Sequence, residues 1–93
     1  MTDEKPLFIP LRTEWFRQFE AGSKVTEYRA YGPRWNERTC RVGRKATLSL
    51  GYSSGCRLNR EISKFEIISH AQAPQAAREM YPDAAFIAAI TLR

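Results

Sequence analysis

Lys24, Glu27 and Arg29 bring an amine, a carboxylate and a guanidinium into one short stretch of the chain. A lysine held near arginines and away from water loses pKa and becomes a base or a nucleophile. A carboxylate beside it holds or relays a proton, and a guanidinium binds an oxyanion or a phosphate. The plainer reading of the same residues is a surface ion pair between Lys24 and Glu27, which is worth little to stability. Strict strand alternation puts Lys24 and Glu27 on opposite faces. They converge only if the chain turns a corner between them, and Gly22 supplies that corner, since glycine tolerates the left-handed backbone that closes a helix end.

A second set of candidates follows directly. Between Arg29 and Lys45 the chain carries Arg34, Arg38, Arg41 and Arg44 against the single acid Glu37, interleaved with Tyr31 and Trp35. Arginine on phosphate and aromatic rings under bases is the arrangement of a single-stranded nucleic-acid surface, so Arg29, Tyr31, Arg34, Trp35, Arg38 and Arg41 are candidate binding residues. The alternative is a solvated face with Trp35 folded inward as packing.

These residues need elements to position them. Residues 6–11 form an apolar run with proline at each end, which reads as an edge strand. Trp15, Phe16 and Phe19 fall on one helical stripe, with Thr13 as N-cap and Ala21 as the last helical residue. A strand is expected over 24–31 and a loop over 34–41. Ala46, Leu48 and Leu50 alternate with polar residues in a half-buried strand over 45–52. Residues 56–70 hold Ile62, Phe65, Ile67 and Ile68 at spacings of one long strand or two, with a bulge near Lys64. Pro74 opens a short helix through Met80, and an apolar strand over 85–92 ends the chain. Phe8, Phe16, Phe19, Phe65 and Phe86 are expected in the core, as are Leu48, Leu50, Ile67 and Ile90. The polar start, 1–5, is expected to fray. The sum is one α+β domain over 1–93, most economically a small β-barrel of about five strands capped by two short helices.

Composition limits the partners. A hydrophobic fraction of 43% over 93 residues suits one folded domain rather than a disordered chain. The net charge of +5, carried mostly by arginine, favours an anionic partner: nucleic acid or, alternatively, an acidic protein. No run is long enough to span a membrane and no secretory signal opens the chain, so a cytoplasmic protein with no membrane partner is expected. Cys40 and Cys56 stand apart and only His70 is available beside them, which argues against a structural metal and for two reduced thiols. No cofactor is expected.

The order strand, helix, then Gly22-x-Lys24-x-x-Glu27-x-Arg29 on a strand resembles the ASCH domain, a small β-barrel family related to the PUA RNA-binding fold. Tyr81-Pro82 before a final apolar strand is similar to the end of small ASCH proteins, and the loop Arg34-Trp35-Asn36-Glu37-Arg38-Thr39 resembles that of phage and prophage members. The resemblance implies a cleft in which Lys24, Glu27 and Arg29 face RNA, a nucleotide or a nucleoside. It also implies a second activity, hydrolysis of RNA or of a modified nucleoside such as N4-acetylcytidine, with Lys24 and Glu27 as catalytic residues. In the amidohydrolase branch the lysine works with a threonine three positions later and a distant glutamate. Here Glu27 takes the threonine's place, Thr26 comes one position early, and Glu61, Glu66 and Glu79 are the available distant acids.

Overall fold

A computed structural model describes residues 4–93. Five strands and two helices follow one another as β1 (Leu7–Leu11), α1 (Thr13–Ala21), β2 (Thr26–Ala30), β3 (Lys45–Leu50), β4 (Arg57–Ser69), α2 (Gln75–Met80) and β5 (Phe86–Leu92), with a 3₁₀ turn at His70–Gln72 before α2. The strands form one sheet in the order β1-β3-β4-β5-β2. β1 runs parallel to β3, and the other neighbours are antiparallel. The sheet curls into a half-barrel, so the expected α+β barrel-like class holds.

β4 is one long strand whose register shifts between Ile62 and Lys64, which is where the sequence places a bulge. The extra residue lets the first half of β4 pair with β3 and the second half with β5, and the bend is what curls the sheet. Ile9, Phe16, Leu48, Ile62 and Ile90 are fully or almost fully buried inside the curl, with Phe19 and Trp35 beside them. A smaller cluster lies on the outer face, where Ala73 and Ala77 cover Ile87, Tyr28 and Ile68.

α1 buries Phe16 and Phe19 as its stripe requires. Gly22 closes it at φ 81°, and the amides of Gly22 and Ser23 return to the carbonyls of Phe19 and Gln18. Several expectations are corrected. Arg12, not Thr13, is the N-cap residue, and it makes no side-chain cap bond: the Arg12 carbonyl accepts the Phe16 amide, so the first turn already includes Thr13. β2 is shorter than 24–31 because Ser23, Lys24 and Val25 form the corner itself.

Phe86 is 52% exposed and Ile67 also faces solvent. Both point to the concave side, since Phe86 pairs with Ser69 and Ile67 with Ala88 two positions from the buried Ile90, but they stand at the end of the half-barrel beyond the reach of α1. Of the start expected to fray, residues 1–3 lie outside the described residues. Glu4 pairs with Arg41 and Arg44, and Arg44 also donates to the Lys5 carbonyl, so these two positions are held.

Candidate functional site

β1 and β2 are the two free edges of the sheet, and the half-barrel brings them to face each other across a seam. Pro10 suits this edge because its missing N–H faces away from β3. Its carbonyl, pointing the same way, accepts a 2.5 Å hydrogen bond from Arg29 Nη2 on β2. Arg29 therefore staples the seam. Its Nε also donates to Glu27 Oε2 at 2.8 Å, and its guanidinium stacks on Trp35, 4.7 Å from the ring centre.

Glu27 and Arg29 are two apart on β2 and share its concave face, opposite Ile90 and Ala88. Glu27 is only 7% exposed. A carboxylate so buried needs a paired cation, and the partner is Arg29 rather than the Lys24 of the simpler expectation. Among the described residues Glu27 Oε1 has no hydrogen-bond partner.

Lys24 precedes β2, so strand alternation does not govern it. Its ammonium lies over three rings, 5.0 Å from the centre of Trp15, 5.5 Å from Tyr28 and 5.7 Å from Phe19. Burial pushes its pKa down, and the nearby Glu27 charge opposes that in part. The amine is half-buried in an aromatic surround and makes no ion pair among the described residues.

Two cavities meet at this point. One of about 80 Å³ is lined by Trp15, Lys24, Glu27, Tyr28 and residues of α2. The other, about 170 Å³, is lined by Pro10, Arg12, Trp15, Glu27, Arg29 and Tyr81 among others. Trp15, Glu27 and Met80 belong to both. Glu27 thus stands between Lys24, which lines one cavity, and Arg29, which lines the other, and the two adjoining cavities make up the cleft over the seam. Tyr81, on the Arg29 side, has its pKa raised by burial.

The basic loop is arranged differently from the expectation. Trp35 is 9% exposed, held between the guanidinium groups of Arg29 and Arg34, and belongs to the core. It offers no open face for a base. Arg41 is occupied by Glu4 and the Arg38 carbonyl, and the Tyr31 hydroxyl donates to Glu37 at 2.6 Å. That hydrogen bond holds the Glu37 carboxyl below its ordinary range and the Tyr31 phenol above its own. Arg34 and Arg38 remain exposed. Asn36 shapes the loop: its amide donates to the carbonyls of Gly32 and Pro33, and its oxygen accepts the amides of Arg38 and Thr39.

Sequence reasoning assigned Trp15 to the core stripe and gave Met80 no role, yet both line the cleft. Trp15 starts the stripe at the end of α1 away from Gly22 and is the one member left half-buried, a difference that periodicity does not carry. The three distant acids lie elsewhere: Glu61 near Lys45 and Arg93, Glu66 near Lys64, and Glu79 accepting from Gln75. Cys40 is buried, with its thiol pKa pushed up, and Cys56 is half-buried, both unpaired. Among the described residues no three metal-ligating side chains cluster and no helix is long and apolar enough to cross a membrane. The chain matches no protein-family model, no curated protein and no solved structure.

Proposed function

We propose that this chain is an ASCH-like, PUA-related module that binds RNA, another single-stranded nucleic acid or a nucleoside ligand in the seam cleft. One observation carries the reading: Trp15, the unpaired ammonium of Lys24 and the unengaged oxygen of Glu27 line the same cleft. An aromatic face, a donor and an acceptor are what a nucleobase needs, because it stacks through its ring and exchanges hydrogen bonds along its edge. Exposed Arg34 and Arg38 supply phosphate contacts outside the cleft. The order of elements and the Gly22-x-Lys24-x-x-Glu27-x-Arg29 pattern support the ASCH-like assignment.

The test is fluorescence anisotropy of labelled short single-stranded RNAs across a salt series, with free nucleosides as competitors. Affinity should fall as salt rises. Lys24→Ala should weaken binding and Lys24→Arg should largely retain it. Absence of binding by every oligonucleotide and nucleoside at low salt would overturn the proposal.

A hydrolytic reading is favoured by one observation, the lowered pKa of Lys24, which makes its amine a better base or nucleophile near neutral pH. It separates from pure binding at Lys24→Arg. A guanidinium keeps the charge but does not deprotonate, so turnover of RNA or a modified nucleoside would vanish while affinity remained.

A further inference from the structure

We propose that the outer face of β3 and β4 carries a phosphate-binding groove, separate from the seam cleft. Ala46 and Leu48 of β3 point into the core, so Lys45 and Thr47 point outward, opposite Glu61 and Asn59 of β4. Arg93 is fixed beside them by two backbone hydrogen bonds with Glu61, each of 2.9 Å. These residues line a cavity of about 410 Å³, and none of them lines the seam cleft. α2 covers the outer face only at its other end, over Ile87 and Ile68.

The fold commits some cations and leaves others free. Arg29, Arg41, Arg44 and Arg78 donate to backbone carbonyls of other segments or turns, so their guanidinium groups serve the fold. Around the groove the pattern is reversed. The Lys45 and Arg93 side chains are 71% and 68% exposed and approach Glu61 only to 3.7 Å, too far for a hydrogen bond. Arg60, by contrast, pairs with Ala46 and so belongs to the core-facing side of β4. Two loosely held cations face one carboxylate, with the Asn59 amide and the Thr47 hydroxyl as neutral donors beside them. Charge and donor geometry select a multiply charged oxyanion, that is, the phosphate of a nucleotide or of a nucleic-acid backbone.

Titration of the isotope-labelled chain with inorganic pyrophosphate and, separately, with a short single-stranded RNA, followed by amide NMR, tests this. The amides of Thr47 and Asn59 should shift with pyrophosphate. Shifts with RNA as well identify a backbone source, and shifts with pyrophosphate alone identify a free phosphate or nucleotide. Replacing Lys45 and Arg93 together by alanine should abolish the pyrophosphate shifts. Where RNA binds there, it should also lower the salt slope of RNA affinity by about 1.4, at roughly 0.7 per phosphate contact on a single strand. Glu61→Gln removes the competing anion and should tighten binding. Silence of Thr47 and Asn59 with both ligands, or shifts that persist in the double variant, would overturn the groove. So would equal displacement by an acidic peptide. The groove stands apart from the seam: RNA binding lost in Lys24→Ala, with Thr47 and Asn59 silent toward pyrophosphate, removes the groove and leaves the seam reading in place. Pyrophosphate shifts at Thr47 and Asn59 without any seam ligand do the reverse.

Discussion

Lys24 shows how little charge alone says about a residue's role. Among the described residues seven other lysines and arginines make ion pairs with carboxylates, whereas Lys24 is enclosed by rings and stripped of water on one side. Its folded pKa lies below the ordinary 10.5, because burial outweighs the attraction of Glu27. Between those two values the unfolded chain binds the proton and the folded chain does not, so stability rises with pH across that window. Below the window Lys24 is charged in both states and the desolvation cost is complete. Lys24→Met should therefore be more stable than the parent at pH 7, and that advantage should shrink as pH climbs toward 10. Urea midpoints of both chains at the two pH values measure it. A difference that stays constant would mean that the amine is solvated in the fold.

At the scale of elements, most of the framework is legible because each element answers to a local rule. The stripe of Phe16 and Phe19, the stop at Gly22, the alternation in β3 and the bulge before Lys64 all follow from periodicity and backbone preference. The failures share a different cause. Phe86 and Ile67 obey strand periodicity and point to the concave side, yet they lie where no second layer reaches, and coverage is a property of the whole fold. Trp35 fails in the opposite direction: in sequence it sits among arginines like a stacking residue, but its loop, closed by Asn36, folds it against Arg29. The convergence at the site was half-legible. Gly22 signals the corner that frees Lys24, but nothing local says that Arg29 reaches across to Pro10 and takes Glu27 with it. Trp35→Ala should accordingly act on stability first, costing roughly 3 to 5 kcal/mol as for other buried aromatic rings. Calorimetry should show this as a lower Tm. RNA affinity measured well below that Tm should stay near the parent value, since Trp35 offers no face to a base. A stable variant with weakened binding would restore Trp35 to the interface.

On the scale of the whole molecule, a half-barrel differs from a closed barrel in having two free edges, and here the Arg29 side chain bridges them. β5 lies between β4 and β2 with Ile87, Ala88, Ala89 and Ile90 all buried, while β1 and β2 each have a single strand neighbour. Local opening follows contact and burial, so the edges open at lower free energy than the centre. Amide hydrogen exchange should show the slowest amides in β5 and the adjoining half of β4, and faster exchange in β1 and β2. A ligand in the seam cleft, as proposed, would contact both edges through Glu27 and the residues beside Pro10. It would stabilise the closed seam in proportion to its occupancy, by about 2.7 kcal/mol at a hundredfold excess over Kd. Saturating ligand should thus slow exchange selectively in β1, β2 and the corner at 23–25, and leave β3 amides near Thr47 unaffected. A ligand in the outer groove would do the opposite, slowing β3 and the first half of β4 while the seam keeps its exchange rate. If exchange in β1 and β2 is already as slow as in β5 without ligand, the staple from Arg29 to Pro10 closes the barrel by itself and the seam does not act as a gate.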